Sequence, residues 1–222
     1  PSNYPLPSGE SKDGAVAEYR RNNVNDMVRQ VYKTIKEINP DVLFGISPMG
    51  IWRNSISDPS GSNTKGNEAY DAVFSDCRAW IKGGTIDYIV PQIYWEIGYD
   101  KAPYETLVKW WSNEVENTNV TLYIGQAAYR DNVASQIIDQ LKINNLYSNI
   151  KGSVFFRASD IISNAVLVNA ALPLPSLSIP SMNPSYMSVS IWTFFFFCSG
   201  VFALSKAPPG PKFDANSSSC TY

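Results

Sequence analysis

Apolar positions along the chain change their period several times, and each change marks an element. From residue 18 onward Val24, Met27, Val28, Val31, Ile35 and Ile38 recur at helical spacing, with Arg29, Lys33, Lys36 and Glu37 off that face, until Pro40 stops the run. A short apolar strand follows over residues 42–47 (VLFGIS). Residues 70–81 read as a second helix with Tyr70, Val73, Phe74, Cys77 and Ile81 inside, ended by Gly83 and Gly84. The stretch 86–98 (IDYIVPQIYWEIG) begins as a buried strand through Ile86, Tyr88, Ile89 and Val90. A third helix over 104–115 buries Leu107, Val108 and Trp111, and a third strand covers 121–127 (TLYIGQA). A fourth helix over 131–147 carries Val133, Ile137, Ile138, Leu141 and Leu146, and a fourth strand covers 153–156 (SVFF). Residues 1–14 and 58–67 are rich in Pro, Ser, Gly and Asn and read as exposed loops.

Strand and helix alternate at roughly 35-residue intervals, the signature of right-handed βαβ units and a parallel sheet. The fold class expected is α/β: a partial TIM (β/α)8 barrel of about four βα units, since a complete barrel needs roughly 250 residues. A doubly wound open sheet shares the alternation, but no Gly-rich phosphate loop follows any of these strands.

The residues just past the strands narrow the picture. After the first come Trp52 and Arg53; after the second Gln92, Tyr94, Trp95 and Glu96; after the third Gln126, Tyr129 and Arg130; after the fourth Arg157 and Asp160. In a barrel those exits share one face, where substrate binds. Aromatic faces beside a carboxylate suit a sugar ring, whose C–H face packs on Trp or Tyr while its acetal oxygen needs a proton donor. Taken singly, each residue has a plain structural alternative: a packed ring under a loop or a solvated charge.

Composition removes several chemistries. The 222 residues are 44% hydrophobic, enough to bury a core, and the formal net charge of −2 offers no basic field for nucleic acid. The sequence contains no histidine, which excludes Ser-His-Asp and Cys-His mechanisms and His-based zinc sites within it and counts against a metal-dependent polysaccharide deacetylase. Cys77, Cys198 and Cys220 have neither metal spacing nor an even count. Carboxylates, Tyr or Lys must carry any acid–base work.

The end of the chain is different material. Residues 161–205 contain no Asp, Glu, Lys or Arg; Pro173, Pro175, Pro180 and Pro184 interrupt any regular element, and residues 187–204 form an uncharged apolar run. The division expected is a barrel portion over 1–171 and a Pro-rich, apolar tail over 172–222. Three readings of the tail stay open: a membrane anchor, strands buried against another domain, or a disordered or frame-shifted end. With Pro1 first and no basic or apolar leader before the first helix, the chain reads as a piece of a longer protein.

The motifs ISPxGIWR and DYIxPQxYW, with the segments around them from about residue 4 to 171, resemble the glycosyl-hydrolase-like (β/α)8-barrel family of bacterial envelope proteins and lipoproteins, formerly a domain of unknown function. The resemblance implies a barrel of which this chain holds the second half. It also implies a location at the cell envelope or outside the cell and, for some members, action on peptidoglycan glycan strands. The mechanism expected is glycoside hydrolysis by two carboxylates without a cofactor, with Glu96 as acid and a partner from a strand upstream of this chain. Tyr94 and Trp95 would desolvate Glu96, and Trp52, Tyr94, Trp95 and Tyr129 would face sugar rings. Arg53, Gln92, Gln126, Arg130 and Arg157 would bond hydroxyl, N-acetyl or carboxylate groups. The alternative is a carbohydrate-binding barrel without chemistry.

Overall fold

The computed structural model describes residues 6–157, 159–160 and 200–204, the last five as backbone. Four parallel strands alternate with helices: β1 (Leu43–Ser47), β2 (Tyr88–Ile89), β3 (Thr121–Ala127) and β4 (Ile150–Phe156). The helices are α1 (Ala15–Ile38), α2 (Ala69–Ala72), α3 (Cys77–Lys82), α4 (Tyr104–Glu114), α5 (Asp131–Ala134) and α6 (Ile137–Asn144). A fifth strand, β5 (Gly200–Leu204), adds antiparallel to β1, so the sheet order is β4-β3-β2-β1-β5. The chain is therefore an α/β fold with four parallel βα units, matching part of a (β/α)8 barrel.

One face of the sheet carries the core. Phe44 and Ile46 of β1, Ile89 of β2, and Leu122 and Ile124 of β3 pack with Val28 of α1, Trp80 and Ile81 of α3, and Leu107, Val108 and Trp111 of α4. Each fully buried Ile or Leu contributes about 1.5–3 kcal/mol. Period-two alternation turns Gly45, Tyr88 and Tyr123 to the opposite face, where the two tyrosine rings meet edge to face at 6.0 Å. A Cβ at Gly45 would collide with the ring of Tyr88, so only glycine fits beneath it. Lys36 of α1 reaches Asp87 at 2.9 Å, and Asp87 accepts from the Phe44 amide at 2.7 Å, which ties helix to sheet at its lower edge.

Several sequence-derived elements differ from the structure. The helix expected over 70–81 is two: α2 ends at Ala72, Phe74 takes a left-handed φ of 57°, and Asp76 caps α3 by accepting from the Ala79 amide at 3.3 Å. The helix expected over 131–147 also breaks, at Ser135 and Gln136, leaving Ile138 and Leu146 exposed. Met27 and Ile38 of α1 are exposed as well. The 58–67 loop is not simply exposed. Ser62 and Thr64 are buried, and Asn54 holds the loop by donating to Glu68 Oε1 at 2.8 Å and the Gly66 carbonyl at 3.0 Å while accepting from Thr64 at 2.7 Å. Of the apolar run over 187–204, β5 is the described part and the remainder lies outside the described residues. Among the described residues no helix is long and apolar enough to cross a membrane.

Candidate active site

Because β1 to β4 are parallel, their carboxyl ends lie along one edge of the sheet. The loops leaving those ends carry nine of the ten candidate residues, Gln126 lying within β3 itself, and they separate into distinct groups.

At the β1 exit, Trp52 and Arg53 are buried. The Trp52 indole donates to Asp76 Oδ1 at 3.2 Å, stacks on Trp110 with centroids 6.1 Å apart, and carries the Arg78 guanidinium 4.6 Å above its ring. Arg53 lies among Asp13 at 3.0 Å, Asp71 at 3.4 Å and Asp58 at 3.7 Å, with its guanidinium over Tyr70 at 4.8 Å. Burial works against its charge, but Asp71 and Asp13 outweigh that cost and hold its pKa above the ordinary value. These two side chains fasten the long β1–α2 loop to α2, α3 and α4.

At the β2 exit, Gln92 donates to the Ser47 carbonyl at 2.9 Å, and its backbone bridges to Met49 on one side and Gly125 on the other. Gly50 shows how closely these loops meet: an added Cβ would stand 2.6 Å from the Gln92 carbonyl and 2.9 Å from the Trp95 ring. Trp95 thus lies against the β1 exit loop and packs on the main core.

Tyr94, Tyr129 and Phe156 come together from three different exits. Tyr94 stacks on Phe156 at 6.2 Å and 19°, while Tyr129 stands edge-on to Tyr94 at 6.3 Å and to Phe156 at 5.8 Å. Tyr129 is 47% exposed, so this aromatic corner reaches solvent. Burial first, and Tyr129 second, push the Tyr94 phenol well above its usual pKa. Phe156 was missed in the sequence because it closes an apolar strand and reads as core.

Glu96 is half-buried, and its Oε2 accepts from Asn132 Nδ2 at 2.6 Å. On either side of the chain before it, the Tyr94 ring turns to Phe156 and Tyr129 and the Trp95 ring turns to Gly50. Arg130 donates to the Tyr94 carbonyl at 2.7 Å. Gln126 is fully buried on the helix side of β3 and donates to Gln140 Oε1 at 2.9 Å. Arg157 is exposed and pairs with Asp160 at 3.0 Å. Among the described residues, no three His, Cys, Asp or Glu side chains gather to hold a metal ion.

The rim therefore joins an aromatic corner to an oriented carboxylate at the carboxyl ends of parallel strands, the position of active sites in (β/α)8-barrel proteins. Over residues 4–152 the chain matches the model of the glycosyl hydrolase-like 10 family, and it belongs to that family. It is 43% identical over 185 residues to the glycosyl hydrolase YngK of Bacillus subtilis, covering 79% of this chain and 36% of the relative. It is 42% identical over 154 residues to the glycosyl hydrolase DigH of Escherichia coli K12, covering 64% of this chain and 35% of the relative. The chain thus spans about a third of the length of these curated relatives.

Proposed function

We propose that this chain supplies part of the active site of a glycoside hydrolase acting on a polysaccharide, with Glu96 as one of its two catalytic carboxylates. The observation that carries the reading is the aromatic corner of Tyr94, Tyr129 and Phe156 on the same rim as a carboxylate fixed by Asn132. Glycosidic cleavage needs a carboxyl group to protonate the leaving oxygen and a second to activate water or attack the anomeric carbon. Glu96 takes the first role in this reading, and the second comes from a strand beyond this chain. The rings offer apolar faces to a sugar's C–H bonds, and Arg157, exposed at the β4 exit, suits a carboxylate or acetamido group.

Peptidoglycan glycan strands are the substrate we propose to test first, which puts the work at the cell envelope or outside the cell. The test is Glu96→Gln in the full-length protein, reading reducing ends released from peptide-free glycan strands. Turnover should fall at least about a hundredfold while glycan binding persists. Undiminished release of reducing ends would remove Glu96 from the mechanism. If the unaltered protein binds glycan and releases no reducing ends, it is a carbohydrate-binding barrel instead.

A further inference from the structure

Four consecutive residues of the β2 rim loop are each held by a different side chain of the next βα unit. Arg130 donates to the Tyr94 carbonyl at 2.7 Å, and Gln140 donates to the Trp95 carbonyl at 3.0 Å. Asn132 donates to the Glu96 carboxylate at 2.6 Å, and Gln136 accepts from the Ile97 amide at 2.8 Å. The clamp extends inward, because fully buried Gln126 donates to Gln140 Oε1 at 2.9 Å.

Packing alone does not call for this arrangement. Gln126 and Gln140 are both fully buried, and among the described residues Gln126 Oε1 has no hydrogen-bond partner. A buried unsatisfied acceptor costs about 1–3 kcal/mol, and apolar side chains of similar size would avoid that cost. The break between α5 and α6 has the same logic. Gln136 sits at the break with φ −109° and ψ 4°, and its side chain accepts from the Ile97 amide. Structure that gives up local stability to fix one loop is what a functional site needs.

We infer that Asn132, with Gln136 and Gln140 behind it, is a positioning residue that sets the direction of the Glu96 carboxylate toward substrate. The inference rests on the proposed hydrolase role of Glu96 and adds the device that aims it. Asn132 is exposed, so replacing it leaves the core intact.

The experiment compares Asn132→Ala, Asn132→Asp and Glu96→Gln in the full-length protein on peptide-free glycan strands. Asn132→Ala should lower kcat about tenfold with KM within about twofold, because a freed carboxylate loses orientation and substrate contacts stay. Asn132→Asp sets two carboxylates in contact, so one retains a proton and the alkaline limb of the pH–rate profile, which reports the proton donor, should rise by about one pH unit. A merely structural asparagine would not move that limb. An inactive Glu96→Gln beside Asn132 variants of unchanged kcat and pH profile would overturn this inference alone. Full turnover by Glu96→Gln would overturn both it and the proposed function.

Discussion

Tyr88, Tyr94 and Tyr104 are phenols that burial holds protonated, each with its pKa pushed well above the usual value. In the unfolded chain a tyrosine ionises near about pH 10. Above that pH the unfolded state has released protons that the folded state retains, so folding stability must fall as pH rises. Below it these phenols contribute no pH dependence. Urea midpoints measured from pH 8 to 11 should stay level and then decline, and Tyr88→Phe should make the decline shallower. An unchanged slope in that variant would mean the phenol is not shielded. Glu96, Tyr94 and Arg130 were legible as rim residues because an aromatic, a carboxylate and an arginine just past apolar strands fit no core pattern. Trp52 and Arg53 follow the same rule, yet the structure gives them buried partners that are distant in sequence: Asp13 lies forty residues before Arg53 and Asp76 twenty-four after Trp52. Sequence spacing cannot show such pairings. Asn132, Gln136 and Gln140 escaped notice because polar residues on a helix normally face water.

At the scale of elements, β1, β3 and α4 were readable almost to the residue, since their apolar periods run unbroken. The divided helices were not. Residues 70–81 keep an amphipathic period straight through the break at Phe74, and the period says nothing of the left-handed φ that ends α2. A local signal was present in Asp76, an N-cap type three residues before Ala79. The residue also accepts from Trp52, so the break serves the β1 loop as well as the helix. Residues 58–67 misled for the opposite reason. Their composition is that of a solvated turn, while Asn54 ties them down through Glu68, Gly66 and Thr64. Asn54→Ala removes the side-chain hydrogen bonds to Glu68, Gly66 and Thr64 and should destabilise the fold by about 2 kcal/mol, seen as a lower urea midpoint. Limited proteolysis should then cut first within the loop. Wild-type resistance in both assays would show that the loop's other bonds, Trp110 to the Ser60 carbonyl and the backbone pairs of Ser62 and Lys65, suffice to hold it.

For the whole molecule, the question is what the two outer strands of the sheet do. In a closed barrel every strand has a parallel neighbour on both sides. Among the described residues β2 and β3 meet that condition, β4 forms one edge, and β1 is bordered by the antiparallel β5. The described residues hold four parallel strands, half of the number a (β/α)8 barrel needs. The chain's stability must therefore concentrate in the middle of the sheet. There Leu122 and Ile124 are fully buried, and the Thr121 and Gly125 amides bond across to Asp87 and Pro91 at 2.9 and 3.0 Å. At the β1 side Leu43 is 43% exposed. Native-state hydrogen exchange should follow this gradient, with amides of residues 121–125 the slowest and those of residues 43–47 opening earlier. The β2 rim loop provides the sharper comparison, because among the described residues the Ile97 amide is held by Gln136 alone. Gln136→Met should release that amide to fast exchange while residues 121–125 keep their protection. Uniform loss across both segments would mean that the clamp and the sheet centre open together.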